Sequence, residues 1–316
     1  MISTDLSLPM RAHIELTSRC NFKCITCKHG YISYGSDIDD NICDIIIKEI
    51  LPNIEEVELQ GTGESLLSHN FDRIFEAAQK NNCYIILITN GSMLNQQRIK
   101  QFVNSKMQIV FSLDGSDSST FKKHRPVGDF DKISENIRNL HVLRDNTKPN
   151  SLSTVINMVL TKYNVNSIKN MIDYASKMGI DHLFVSEVRH CMPDDNQWDN
   201  LRLDNIPERE TLISNIVSAS QYAKEQHIGF TFNPYDKKHI IKKKICPSPW
   251  KHIFITAEGR VSFCCELNSY FGHLKNESFE KIWNGNKMIK FRNDMLIGNY
   301  HCKCTNCCLP WGITHE

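Results

Sequence analysis

The chain has 316 residues, 41% of them hydrophobic and 23% charged, which suits a folded globular protein and excludes a disordered or low-complexity one. A formal net charge of +1 gives no global pull toward nucleic acid or an anionic membrane. No apolar run reaches the roughly 18 residues that a membrane-spanning helix needs, and residues 1–10 lack the cationic start and apolar centre of a secretory signal. The expectation is a cytoplasmic protein with neither membrane nor nucleic acid as a partner.

From residue 11 to about 230, short β-rich runs alternate with longer helical patterns. The strand candidates are RAHIEL (11–16), EEVELQ (55–60), CYIILIT (83–89), QIVFSLD (108–114), TVINMVL (154–160) and HLFVSEV (182–188). Between and after them, segments near 38–51, 70–81, 94–104, 130–145, 165–178 and 207–226 carry helical periodicity. Repeated βα units predict an α/β fold with a parallel sheet, here a partial (β/α)6 barrel of TIM type over 1–230. Such folds place their sites at the carboxyl ends of the strands. After about 230 the texture changes to DKKHIIKKK (236–244), CPSPW (246–250), a hairpin around Glu258-Gly259, one helix near 278–295 and a cysteine-dense tail. This predicts a small α+β domain over 231–316, with the lysine run as a solvated linker.

Thirteen cysteines are many for a protein without an export signal. In a reducing compartment they bind metal or react more often than they form disulfides. Cys20, Cys24 and Cys27 form one group, while Cys246, Cys264, Cys265, Cys302, Cys304, Cys307 and Cys308 form another, so two metal sites are expected. Cys43 and Cys83 fall in helix and strand patterns and read as core. The first group, CNFKCITC at 20–27, directly follows the first strand. Iron-sulfur clusters usually take four cysteine ligands. Three in one loop would therefore leave one iron of a four-iron cluster open to an external donor. The competing readings are a zinc site with His29 as a further ligand, or structural thiols that merely fall close together.

In these residues the chain resembles the radical S-adenosylmethionine (SAM) superfamily. The segment GTGESLL (61–67) is similar to the family's Gly-Gly-Glu-Pro element, which implies Gly63 and Glu64 at the SAM amino group. TNGSML (89–94) looks like the turn beside the cofactor, with Asn90 and Gly91 at its centre. SLDG (112–115) resembles the Ser-x-Asp-Gly element, implying Ser112 on the ribose hydroxyls with Asp114 close behind. Arg125, in HRPVGDF, stands where relatives carry an arginine for the SAM carboxylate. The chain departs from the pattern at Thr26, where an aromatic is common, at Thr62 in place of the first glycine, and at Ser65 in place of proline.

The C-terminal spacing resembles the Twitch and SPASM modules of the same superfamily. That implies one auxiliary four-iron, four-sulfur cluster on Cys246, Cys264, Cys304 and Cys307, with Cys302 or Cys265 able to replace a neighbour; a structural zinc knuckle is the alternative. The resemblance implies SAM and two such clusters as cofactors, a flavodoxin- or ferredoxin-type reductant, and reductive cleavage of SAM to a 5′-deoxyadenosyl radical that removes hydrogen from a substrate. Cys191, just after the sixth strand, is the candidate thiol for returning hydrogen in an epimerisation. The first strand begins about ten residues in, and the expectation is that no N-terminal peptide-recognition domain precedes it. With one auxiliary cluster, this favours a small substrate, a sugar or aminocyclitol that is oxidised or epimerised. Maturation of a ribosomal peptide is the alternative.

Overall fold

The computed structural model describes residues 8–27, 35–147, 151–188, 196–203, 209–233, 245–305 and 307. In chain order the strands and helices are β1 (Arg11–Ile14), α1 (Asp40–Ile45), β2 (Glu56–Leu59), α2 (Phe71–Lys80), β3 (Tyr84–Thr89), α3 (Gln96–Val103), β4 (Met107–Ser112), α4 (Ser118–His124) and α5 (Phe130–Asp145). There follow β5 (Leu152–Leu160), α6 (Ile168–Met178), β6 (His182–Glu187), α7 (Arg209–Glu225), β7 (Gly229–Asn233), α8 (Ser248–Lys251), β8 (His252–Ile255), β9 (Arg260–Ser262), β10 (Gly272–His273), α9 (Phe279–Trp283), α10 (Asn286–Leu296) and α11 (Cys302–Thr305). The fold is the α/β class with parallel strands that the βα alternation predicts.

The described residues fall into two compact units, one within 1–19, 34–85 and 236–316, the other within 20–33 and 86–235. In the first, the strand order is β10-β9-β8-β1-β2. Strand β1 pairs in parallel with β2 (Arg11↔Glu56 through Ile14↔Leu59) and with β8 (Arg11↔His252 through Ile14↔Ile255). The C-terminal segment thus lies directly beside the first strand. Strands β8 and β9 form the hairpin expected around Glu258-Gly259. Helix α2 buries Phe71, Ile74, Phe75 and Ala78, the i, i+3, i+4, i+7 face of an amphipathic helix. The single helix expected near 278–295 is two helices, because Gly285 is extended (φ −73°, ψ 157°) and caps the second one.

The second unit carries the order β3-β4-β5-β6-β7, with β4 through β7 paired in parallel. Helices α3, α4 and α5 begin at side-chain caps, Asn95 onto the Arg98 amide, Asp117 onto Thr120 and Asp129 onto Lys132. Alternation sorts each strand. One set, including Leu87, Ile109, Phe111 and Ile156, is fully buried, while Ile88, Val110, Ser112, Asn157 and Phe184 on the other face are half-buried. Strand β7 and helix α4 are additions to the sequence reading. Both are short, and β7 (GFTFN) is half-exposed, so neither sustains a period long enough to read.

Candidate functional site

The loop 20–27 belongs to the second unit, and its three cysteines are half-buried there. Several anchors hold it. Asn21 and Asn90 clasp: Asn90 Nδ2 donates to Asn21 Oδ1 at 2.9 Å, Asn21 Nδ2 donates to Ser92 Oγ at 2.8 Å, and Ser92 Oγ donates back to Asn90 Oδ1 at 2.6 Å. The Ile25 amide donates to the His124 carbonyl at 2.9 Å. The Ile25 side chain packs against the buried cluster Val188, Trp198 and Leu201. His124 is itself fixed, with Nε2 at 2.7 Å from Thr161 Oγ1.

Arg125 sits at the end of α4, buried, with Nε 3.0 Å and Nη2 2.8 Å from Asp114 Oδ2. Its Nη1 donates to Cys24 Sγ at 3.3 Å. Burial pushes the Cys24 thiol up to about 11, while the Arg125 guanidinium pulls against that shift. The Phe22 amide donates to Cys20 Sγ at 3.4 Å. Ser112 ends β4 in register with Asn157 on β5.

Gly63 and Glu64 lie in the first unit, where the loop 61–64 rests on the backbone of residues 15–19. A Cβ on Gly63 would stand 2.3 Å from the Thr17 carbonyl oxygen and 2.5 Å from that of Arg19, so the approach requires glycine. The Glu64 amide donates to Arg19 O at 2.8 Å, and its buried carboxylate caps the turn at the Leu66 amide. The other end of the loop is gripped by Glu15. This buried carboxylate accepts from the Thr62 amide at 2.7 Å, from Thr62 Oγ1 at 2.6 Å and from the Ala257 amide at 3.1 Å. Thr62, the departure from the family's glycine, thus has a defined partner. Glu15 was missed in the sequence, although a carboxylate inside the apolar run RAHIEL is a readable signal. Asn21, Ser92 and Asp37 were missed with no comparable signal.

Beyond Arg19 the chain is tied down by Asp37, which accepts from Arg19 Nε at 2.9 Å and Nη2 at 2.6 Å and lies 3.0 Å from His69 Nδ1. Burial raises the Asp37 carboxyl, but hydrogen bonds from Arg19, Thr17 and His69 outweigh it and bring the group down to about 2.

The second cysteine group lies in the first unit. Burial pushes the Cys304 thiol up to about 12, with Cys246, Cys307, Cys264 and Cys302 near enough to add to the effect. Cys246, Cys264, Cys304 and Cys307 are half-buried, while Cys265 and Cys302 are exposed. The hydrogen bond with Cys265 draws Cys264 down, toward the thiolate. Cys43 and Cys83 are buried, as core residues should be. Cys191, His29 and Cys308 lie outside the described residues.

Among the described residues, no three Cys, His, Asp or Glu side chains converge tightly enough to hold a single ion. A four-iron cluster binds each thiolate to a different iron and so draws on thiols spread around a larger volume. The donor set fits such a group: soft sulfur atoms only, with an amide and a guanidinium already aimed at two of them.

Residues 14–175 match the Radical SAM superfamily and residues 246–308 match SPASM, an iron-sulfur cluster-binding domain. The chain is 22% identical to the tungsten-containing aldehyde ferredoxin oxidoreductase cofactor-modifying protein of Pyrococcus furiosus, over 94% of this chain and 86% of that protein. It is 21% identical to the subtilosin biosynthesis protein AlbA of Bacillus subtilis, over 89% of this chain but only 61% of AlbA. The fold resembles that of SuiB from Streptococcus suis, crystallised with its precursor peptide SuiA: TM-score 0.71 at 15% identity, over 90% of this chain and 66% of SuiB. The two family matches imply SAM and four-iron, four-sulfur clusters as cofactors. The chain therefore belongs to the radical SAM superfamily and carries a C-terminal SPASM domain.

Proposed function

We propose that this enzyme removes a hydrogen atom from a peptide substrate and thereby matures it, by crosslinking, oxidation or epimerisation. Cys20, Cys24 and Cys27 are the proposed ligands of the cluster that meets SAM, and Gly63, Glu64, Asn90, Ser112, Asp114 and Arg125 the residues around the cofactor. Cys246, Cys264, Cys304 and Cys307 are the proposed ligands of a single auxiliary cluster in a module over 231–316. The observation that carries radical initiation is the cysteine loop itself: three thiols on one pinned loop, one of them already bonded by a buried guanidinium. When bound and reduced, the cluster and SAM supply a carbon radical able to attack an unactivated C–H bond.

The protein's own residues position and shield. Ile25 anchors the loop into an apolar cluster, and the Asn21–Asn90–Ser92 clasp fixes its first turn. Gly63 permits close backbone approach where a side chain would collide. The peptide reading is supported by the relationship to AlbA, a bacteriocin biosynthesis protein, along most of this chain. A second reading is action on a small molecule, such as oxidation or epimerisation of a sugar or aminocyclitol. It is supported by the Pyrococcus relative, which is named for modifying a cofactor. We place the enzyme in a reducing cytoplasm, served by a flavodoxin- or ferredoxin-type donor; among the described residues no helix is long and apolar enough to cross a membrane.

The test is anaerobic reconstitution with iron and sulfide, reduction with dithionite, addition of SAM and assay of 5′-deoxyadenosine. The same assay is run on Cys20→Ala/Cys24→Ala/Cys27→Ala. Wild type should form deoxyadenosine and hold about eight irons; the triple variant should form none and hold about four. Precursor peptides and small polyols are then compared for a substrate-dependent rise in deoxyadenosine and for a mass change in the product. A fully reconstituted wild type that cleaves no SAM would sink the reading.

A further inference from the structure

We propose that Arg125 is a positioning and tuning residue of the SAM-binding cluster: clamped by Asp114, it donates a charge-assisted hydrogen bond to the cluster ligand Cys24 and raises the cluster's reduction potential. The inference rests on the reading of Cys24 as a ligand, and it gives Arg125 a role on the metal centre in addition to any contact with SAM.

The geometry leaves the guanidinium little freedom. Its fork is planar, so fixing two nitrogens fixes the third. Nε and Nη2 both lie on Asp114 Oδ2, at 3.0 and 2.8 Å, which leaves Nη1 directed at Cys24 Sγ, 3.3 Å away. Asp114 is itself bolted to β5. Its Oδ1 accepts from the Val159 amide at 2.9 Å, and its carbonyl accepts from Asn164 Nδ2, also at 2.9 Å. Asp114 is fully buried and Arg125 is 8% exposed, so water does little to screen the ion pair. A chain of rigid contacts thus runs from the sheet through Asp114 and Arg125 to one cysteine of the loop.

The chemistry follows from charge. A ligating thiolate is negative, and reduction adds one more negative charge to the group that it serves. A fixed cation that donates an N–H to the sulfur stabilises the reduced state more than the oxidised one, and hydrogen bonds to sulfur are among the determinants of iron-sulfur potentials. Asp114 offsets part of that cation. It lies on the far side of the guanidinium from the sulfur-directed nitrogen, so its main effect is to aim the donor.

The test uses the full-length reconstituted enzyme and needs no substrate. The signal of the SAM-binding cluster is taken as the part of the reduced electron paramagnetic resonance spectrum that is absent from the Cys20/Cys24/Cys27 triple alanine variant. Its midpoint is titrated without SAM in wild type, Arg125→Met and Arg125→Lys at matched iron content. Separately, SAM binding is measured by equilibrium dialysis. Arg125→Met should raise the ratio of oxidised to reduced cluster at a fixed potential at least tenfold, about 59 mV for a one-electron couple. Arg125→Lys, which keeps a point charge but not the fork, should fall between it and wild type. A ratio within threefold of wild type for Arg125→Met overturns the proposal, as does loss of SAM affinity with an unmoved midpoint. If Arg125→Met loads less iron, Arg125→Lys decides: a shift of at least threefold supports the proposal and no shift overturns it. A wild type without any such signal would instead sink the assignment of Cys24 as a ligand.

Discussion

Replacing Glu15 with alanine should loosen the first unit and weaken its grip on the loop 61–64. Three donors lose their acceptor: the Thr62 amide, Thr62 Oγ1 and the Ala257 amide. Ala257 is 1% exposed, so its N–H is stranded away from water, at a cost of about 1–3 kcal/mol. Thr62 is half-buried and can rehydrate, which limits its two losses to about 0.5–1.5 kcal/mol each. The sum is about 2–6 kcal/mol. At about 2.1 cal/mol/K per residue, a 316-residue chain melts with roughly 0.7 kcal/mol/K, so Tm should fall by about 3–9 °C. Glu15→Gln keeps one oxygen for Thr62 but turns an NH2 toward the Ala257 amide, and should lose roughly half as much. Thermal melts followed by circular dichroism read the stability, and equilibrium dialysis of SAM reads the loop. An alanine variant that melts within 1 °C of wild type and binds SAM as tightly would refute the reasoning.

Gly63→Ala should abolish measurable SAM binding while leaving the iron content unchanged, because its Cβ would collide with two backbone carbonyls that cannot move independently; retained SAM affinity would contradict the close approach. Hydrogen bonds to Asp37 and Asp40 raise His69 above 6.5. The protonated form is therefore favoured in the fold, its contribution is fully present below pH 6.5, and it is lost as pH rises through the raised value. Wild type should lose more Tm than His69→Gln between pH 6 and 8, and parallel profiles would remove His69 from the account. Cys304→Ala should lower iron by about four per chain while leaving SAM cleavage in place. Loss of all iron would show that the two cysteine groups do not load independently.

All six strands expected in residues 11–230 are present, and so are the helices between them, because long alternating and helical periods survive whatever packs against them. The cysteine motif was legible for a different reason. Ligand chemistry demands particular residue types at short fixed spacings, and such spacings are visible without a fold. The partners of Asp114 and Arg125 were not legible in this way. The family resemblance leads one to expect each near the cofactor, but only the packed chain shows them bonded to one another and to Cys24.

The sequence by itself determined the class of fold, the two cysteine groups and the family, since each depends on local period or spacing. Tertiary structure decided the rest. That β8 lies beside β1, that Glu15 joins residues 62 and 257, and that the Asn21–Asn90–Ser92 clasp holds the cysteine loop 20–27 all depend on contacts between residues far apart in the chain. Such contacts have no local signature. They form only when burial leaves a polar group one available partner, and which partner that is depends on how the strands line up.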